Sequence, residues 1–261
     1  DQFGLSRDDL YRVNGPVNLV RLMQVPDWVD RPDLKFPPFT PGLPKAVGKG
    51  ANIFHSIRHG DILLHHPFQS FAPVIEFLNQ ASTDPAVVAI KMTVYRTGTD
   101  SVLMQSLIRA AQNGKEVTVV VELMARFDEE ANIEWATKLE QVGAHVVYGV
   151  VGYKVHAKAL LIVRREEGHL KRYAHLGTGN YHPRTARLYS DFGLMTANDE
   201  ITQDVNEVFK QLTGLGKART LEHVWMAPFT LQPNVVAAIA KEAEAAKAGK
   251  KAIVVAKMNS L

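Results

Sequence analysis

The stretch that decides the fold is Gly152-Tyr-Lys-Val-His-Ala-Lys-Ala-Leu-Leu-Ile-Val163. Its alternating polar first half and its leucine-rich, β-branched second half predict a β-strand. Successive side chains of a strand point to opposite faces, so Lys154, His156 and Lys158 are expected on one face. Val155 and the two alanines are expected to pack on the other face.

This arrangement favours a nucleophilic role for His156. Lys154 and Lys158 carry positive charge on either side of the imidazole, and neighbouring positive charge disfavours its protonation. A neutral imidazole nitrogen is a nucleophile, and the two ammonium groups can hold anionic oxygens. The stretch therefore predicts a site that attacks phosphorus. An exposed strand face that is merely basic is the alternative from this stretch alone.

Helices and strands alternate around this stretch. Amphipathic or glycine-ended segments predict helices at 68–81, 100–112, 128–142, 200–212 and 233–248. Apolar, β-branched runs predict strands at 87–95, 117–123, 145–148, 172–176 and 191–196. This alternation predicts an α/β fold with helices on the faces of a β-sheet.

Two segments bear on domain organisation. Residues 35–50 are rich in proline and glycine and predict a connector with a domain boundary. The closing segment 253–259 resembles the predicted strand at 87–93, as a repeat interrupted after its first strand would. We therefore expect the chain to be a fragment of a longer protein. Chance similarity between two apolar strands is the alternative.

Composition limits the class of ligand. The 261 residues contain no cysteine, which excludes disulfides and thiolate metal sites. No apolar run approaches the roughly 18 residues of a membrane helix. The net charge is only +3, but eight Lys/Arg against two acids between Lys154 and Ser190 give that segment +6. This excess indicates an anionic ligand. Nucleic acid, phospholipid head group, nucleotide and inorganic phosphate all remain open.

Two arginines occupy equivalent positions in the predicted sheet. Arg96 and Arg126 each follow a buried strand directly and precede a helix. Ligands of open α/β sheets bind beyond the carboxyl ends of strands, where helix N-termini favour anions. A guanidinium group matches two phosphate oxygens. The pair therefore predicts phosphate binding.

A glycine-rich loop follows within the basic segment. Residues 177–180 can bring backbone N–H groups close to an anion, with Asn180 as an extra donor. Tyr189 and Asp191 alternate on the next predicted strand, so they are expected to share a face. Asp191 can orient an imidazole, and Tyr189 can hydrogen-bond to or stack on a ligand. Either can equally be an ordinary strand residue.

Taken together, these motifs resemble bacterial polyphosphate kinase. The matching runs lie between about residues 60 and 210, at 90–96, 117–123, 125–132, 154–158, 173–180 and 185–189. The resemblance implies a phospholipase D-like sandwich, a mixed β-sheet flanked by helices, at residues 44–222. It implies the tail of a head domain and a Pro-rich linker at 1–43, and the start of a second phospholipase D-like catalytic domain at 223–261.

The resemblance also implies the reaction. His156 would take the γ-phosphate of ATP and pass it reversibly to inorganic polyphosphate, assisted by Lys158. Arg96 and Arg126 match a magnesium–phosphate site, where contact through the phosphates is the physical expectation for a guanidinium. Tyr189 matches a nucleotide contact, and Lys154 and Asn180 would bind phosphate. Val163 stands where the phospholipase D signature has an acid, which argues against phospholipid hydrolysis.

The partners implied by the resemblance are ATP or ADP, polyphosphate and Mg²⁺, with no nucleic acid. The resemblance also implies a second essential histidine in a second catalytic domain that this chain lacks. Without that histidine, this fragment is expected to be inactive or nearly so. A homo-oligomer is expected for the full length, in the cytoplasm and in peripheral contact with the inner membrane. The rival functions are a phospholipase D-like phosphodiesterase or nuclease, and a non-enzymatic module that binds polyanions or RNA.

Overall fold

A computed structural model describes residues 4–48, 50–96, 98, 100–122, 129–150, 152–214 and 220–258. The chain divides into two compact units, 1–40 and 41–261. The described part of the first unit has no buried residue. It contains short 3₁₀ helices and one helical turn, at Arg7–Asp9, Leu19–Gln24, Pro32–Leu34 and α1 (Val25–Trp28). The predicted boundaries after residues 43 and 222 stay predictions.

The second unit contains the predicted helices and one that was not predicted. Their bounds are α2 (Ile53–His59), α3 (Ala72–Thr83), α4 (Val102–Gln112), α5 (Glu129–Gln141), α6 (Asp199–Leu212) and α7 (Leu231–Lys247). Asn198 caps α6 by accepting from the N–H groups of Glu200 and Ile201 at 2.9 and 3.0 Å. Gly114 and Gly143 follow α4 and α5 with φ of +77° and +84°, which confirms the predicted glycine ends. No helix in the described ranges has the length and apolar character to span a bilayer.

Seven strands form one mixed sheet. Their bounds are β1 (Ile62–His66), β2 (Val87–Val94), β3 (Glu116–Val121), β4 (His145–Tyr148), β5 (Lys158–Glu166), β6 (His169–Gly177) and β7 (Asp191–Thr196). The order across the sheet is β1-β7-β6-β5-β2-β3-β4. Strands β2, β3 and β4 are parallel, and all other neighbours are antiparallel. The predicted α/β architecture with a mixed sheet is confirmed.

The prediction for the central strand is wrong at its start. Strand β5 begins at Lys158, and residues 154–157 have no regular structure. Both neighbouring strands end at this level, because β6 ends at Gly177 opposite Lys158 and β2 ends at Val94. The first half of the stretch therefore has no strand to pair with. Its side chains do not alternate as predicted, since Val155 and Lys158 are both buried.

Three further differences from the prediction concern other parts of the chain. Tyr189 precedes β7, so it does not share a strand face with Asp191 as predicted. Residues 251–258 contain no strand, because neither edge strand, β1 nor β4, pairs with them. Strand β1 was not predicted, since its two histidines hide the apolar period of a five-residue run. It pairs with β7 in antiparallel register.

Apolar burial on both faces of the sheet holds these elements together. Helices α2 to α5 cover one face, where Phe77, Leu107 and Trp135 pack against the strands. Helix α6 covers part of the other face with Val205 and Phe209. Burial of this apolar surface is the main favourable term in folding. The sheet is therefore a rigid base for residues at its ends.

The register places the ends of β2 and β3 and the starts of β5 and β7 on the same side of the sheet. Strands β2 and β3 end there at Val94 and Val121, and β5 and β7 begin there at Lys158 and Asp191 because they run in the opposite direction. The residues just beyond these ends are the ones that the sequence marks as chemically active.

Candidate active site

His156 lies at this end of the sheet with its side chain exposed to solvent. Its ring packs edge-on against Tyr95, with 4.7 Å between the ring centroids and 85° between the ring planes. Tyr95 follows β2 directly. The contact with Tyr95 thus covers part of the imidazole, while the rest of the ring stays accessible to a ligand.

Tyr95 is a site residue that the sequence analysis missed. The guanidinium carbon of Arg96 lies 5.2 Å from the centroid of the Tyr95 ring, and Lys158 Nζ lies 5.0 Å from it. Cations over an aromatic face are attracted by its quadrupole. The ring therefore gathers His156, Arg96 and Lys158 around one side chain. The signal available in the sequence was its position immediately before Arg96, beyond a buried strand.

The pKa of His156 is lowered from its usual 6.5. Partial burial is the largest cause, followed by the positive charges of Lys158, Arg96 and Lys154. The predicted direction is confirmed, but neighbouring charge is the second cause and not the first. The ring is neutral at physiological pH, so one ring nitrogen carries a free lone pair.

Lys158 is buried, and burial lowers its pKa to about 8. The carboxylate of Asp191 opposes this shift, and the charge of Arg96 adds to it. The ammonium group donates a hydrogen bond to the backbone oxygen of His156 at 2.6 Å. Lys158 is therefore a cation whose charge changes near pH 8, and its hydrogen bond holds it beside the backbone of His156.

The loop 177–180 packs on Asp191. Thr178 donates its hydroxyl to Asp191 Oδ1 at 2.9 Å, and its backbone N–H donates to the oxygen of Phe192 at 2.9 Å. A Cβ atom at Gly179 would lie 2.6 Å from Asp191 Cγ, so only glycine fits there. The N–H of Thr178 therefore serves the fold, and anion binding by the other N–H groups of the loop stays a prediction.

The remaining predicted residues are placed as follows. Asp191 acts electrostatically on Lys158, and no described hydrogen bond joins it to His156. Asn180 lines a small cavity beside Asp191. Tyr189 is exposed and follows a short 3₁₀ helix at 185–187. Lys154 is exposed, and Arg126 lies outside the described residues. Their roles stay predictions.

Asn132 joins the strand ends behind the site. It is fully buried on α5, and its amide donates to the backbone oxygens of Tyr95 at 2.9 Å and Glu122 at 3.0 Å. These two residues follow β2 and β3 respectively. Asn132 thus fixes the strand end from which Arg96 extends. Sequence reasoning did not single out this asparagine, although it closes the run 125–132.

The basic excess of the segment 154–190 divides between two ends of the β5–β6 hairpin. At the end away from His156, Arg164 pairs with Asp84 at 2.8 Å and with Glu166 at 2.7 Å. Lys171 pairs with Asp199 at 2.8 Å. These cations are neutralised within the fold. The net charge of the segment therefore overstates the positive charge that a ligand would meet near His156.

The predicted magnesium site near Arg96 and Arg126 stays a prediction, because Arg126 lies outside the described residues. Within the described ranges, no group of three or more His, Asp or Glu side chains can hold a metal ion. Of the two arginines predicted for this site, only Arg96 is described. Its guanidinium is positively charged, so it is expected to contact the phosphates and not the metal ion.

These features define an α/β domain whose sheet end presents a neutral histidine among cations. The family model described as polyphosphate kinase C-terminal domain 1 matches residues 52–218. The chain belongs to this polyphosphate kinase family. The prediction from the motifs is confirmed.

Known relatives agree with this assignment. The chain is 63% identical to a polyphosphate kinase of Burkholderia multivorans and to one of Neisseria meningitidis serogroup C. Both alignments cover all of this chain, but only 39% and 38% of those proteins. The crystal structure of a polyphosphate kinase from Porphyromonas gingivalis matches with a TM-score of 0.78 and 35% identity. That match covers 92% of this chain and 40% of the other. The chain therefore spans about two fifths of the length of these relatives.

Proposed function

We propose that this domain accepts the γ-phosphoryl group of ATP on His156 and passes it to inorganic polyphosphate, as one catalytic domain of a polyphosphate kinase. The observation that carries the proposal is the His156 ring itself. It is exposed, its pKa is lowered, and the charges of Lys158 and Arg96 act on it. The relatives named polyphosphate kinase support the substrate pair.

The first step is attack on phosphorus. The lone pair of a neutral ring nitrogen of His156 forms the N–P bond while the bond from the γ-phosphorus to the bridging oxygen breaks. Its electron pair leaves with ADP. Positive groups that hold the equatorial oxygens stabilise the loose transition state of such a transfer. Lys158 and Arg96 supply that charge from fixed positions.

The second step regenerates the histidine. A terminal oxygen of polyphosphate attacks the phosphorus, the N–P bond breaks, and its electrons return to the imidazole. A covalent intermediate separates the reaction of two polyanions into two encounters, so ATP and polyphosphate need not occupy the site together. The same path run backwards makes ATP, which supports reversibility.

Other elements of the proposal come from the resemblance. Mg²⁺ enters with ATP, Arg126 binds phosphate, and Tyr189 contacts the nucleotide. A second catalytic domain supplies a further histidine. The whole protein is a homo-oligomer located in the cytoplasm, with peripheral contact to the inner membrane.

The products of the full-length protein test this function. The protein is incubated with Mg·ATP and polyphosphate, and ADP and polyphosphate chain length are measured. We expect ADP release coupled to chain growth, lost in His156→Ala. His169→Ala is the matched control, because His169 is exposed at the other end of the same hairpin.

Two results would contradict the proposal. Hydrolysis of a phosphodiester substrate without ADP release would indicate a phosphodiesterase or nuclease. Polyanion binding that His156→Ala leaves unchanged, with no turnover in the wild type, would indicate a non-enzymatic binding module.

A further inference from the structure

The His156 segment, which we define as residues 155–159, enters the sheet without a strand on either side of its first half. Strand β5 begins only at Lys158. A nucleophile on an unsupported loop would sample many directions, at a cost in rate. Two buried side chains supply the missing support, and neither belongs to the residues predicted for the site.

Thr93 holds the segment after the histidine. It lies on β2 and is 2% exposed. Its hydroxyl donates to the backbone oxygen of Ala157 at 2.7 Å and accepts from the backbone N–H of Ala159 at 3.0 Å. One side chain thus satisfies a donor and an acceptor of the segment, in place of a neighbouring strand.

Glu122 holds the segment before the histidine. It follows β3 and is 5% exposed. Its Oε2 accepts from the backbone N–H of Val155 at 2.9 Å. Its own N–H donates to the oxygen of Val94 at 2.9 Å, which extends the ladder between β2 and β3 by one bond. The carboxylate is therefore anchored in the sheet.

We propose that Thr93 and Glu122 are positioning residues, which hold the backbone on both sides of His156 and so direct its ring at the incoming phosphoryl group. This inference rests on the proposed function. Both side chains extend from the packed sheet. Their hydrogen bonds therefore fix the position of backbone that has no regular structure around His156. Groups held in this way keep a reacting atom within a fraction of an ångström of its productive position.

Thr93→Val tests the inference in the full-length protein. Valine keeps the β-branched shape but cannot bond to Ala157 or Ala159. We expect the single-turnover rate of His156 phosphorylation by Mg·ATP to fall about 10- to 100-fold, the effect of a misplacement near 1 Å. The dissociation constant for ATP should change by less than about 3-fold, because the buried Thr93 side chain does not contact the ligand.

Four further variants separate positioning from general damage. Thr93→Ser keeps the hydroxyl and should restore the rate to within about 3-fold of the wild type. Thr118→Val removes another buried threonine hydroxyl, on β3, that has no described hydrogen bond to the His156 segment. It should phosphorylate normally. For the second residue, Glu122→Met should slow phosphorylation, and Glu122→Gln, which keeps an acceptor oxygen, should slow it less.

The outcomes distinguish this inference from the proposed function. A wild type that never becomes phosphorylated overturns both. A wild type that is phosphorylated, with Thr93→Val equally fast, overturns positioning alone. Equal losses in Thr93→Val, Thr93→Ser and Thr118→Val also overturn positioning, since they would report a folding defect. Faster amide exchange at Ala159 in Thr93→Val, with rescue of the rate by serine, supports it.

Discussion

At the scale of single residues, the neutrality of His156 has two sources. Packing against Tyr95 removes part of the ring from water, and Lys158, Arg96 and Lys154 add repulsion toward a proton. The sequence shows the lysines but not the burial, because the ring that shields His156 comes from another strand. Charge and burial both lower the pKa of His156.

The acid limb of the pH–rate profile reports this neutrality. Because the pKa of His156 is lowered, kcat/KM for ATP should rise through an apparent pKa below 6.5 and level off above it. Lys154→Met removes one positive charge, so protonation becomes easier and the acid limb should move to higher pH. Lys171→Met, at the far end of the hairpin, is the control and should leave the limb in place. An unmoved limb in Lys154→Met would contradict the electrostatic account.

The alkaline limb reports Lys158. Its pKa of about 8 means that the free enzyme loses this cation as the pH rises past 8, so kcat/KM should fall there. Lys158→Arg keeps a positive charge at every accessible pH. We expect this variant to lose the alkaline limb, whatever its absolute rate. A limb that persists in Lys158→Arg would assign the limb to another group.

At the scale of elements, the β5–β6 hairpin has different tasks at its two ends. One end presents Lys158 to the site. At the other, Glu166 accepts from Tyr173 at 2.6 Å and from Arg164 at 2.7 Å. Burial by itself would raise the pKa of Glu166, but these hydrogen bonds outweigh it and lower the pKa below its usual 4.5. This end is a structural anchor.

Glu166→Gln should therefore destabilise the fold and spare the chemistry. Loss of hydrogen bonds to a charged group predicts a fall in the free energy of unfolding of about 2–3 kcal/mol at pH 7. A carboxylate with a lowered pKa stabilises the fold above its unfolded pKa, and this contribution is lost as the pH falls through its folded pKa. The gap between wild type and variant should thus narrow below pH 4.5. Denaturant unfolding at several pH values measures it, and a gap independent of pH would contradict the assignment.

The sequence predicts these elements well where their pattern is long and regular. Helix α4 and strand β2 fall within a few residues of prediction, and β4 and β7 match at both ends. The start of β5 could not be predicted, because the end of a strand depends on where its neighbours end. Thr93 and Glu122 could not be singled out either. Their role is to bond the backbone of a distant segment, which leaves no local pattern.

At the scale of the whole molecule, the site is one part of a larger protein in the relatives. The chain spans about two fifths of their length. We expect this chain alone to synthesise no polyphosphate above the level of its own His156→Ala variant, whereas the full-length protein does. Chain growth from ATP, resolved by gel electrophoresis, measures both. Robust synthesis by the chain alone would contradict the expected need for a second catalytic domain.

The central claim is that the His156 ring carries the phosphoryl group. Full-length protein is mixed with Mg·ATP labelled at the γ-phosphate, quenched, and analysed for bound label and its position. We predict a label that is labile in acid, stable in base, mapped to His156, absent in His156→Ala and retained in His169→Ala. A label that survives acid, or that persists in His156→Ala, would contradict the account.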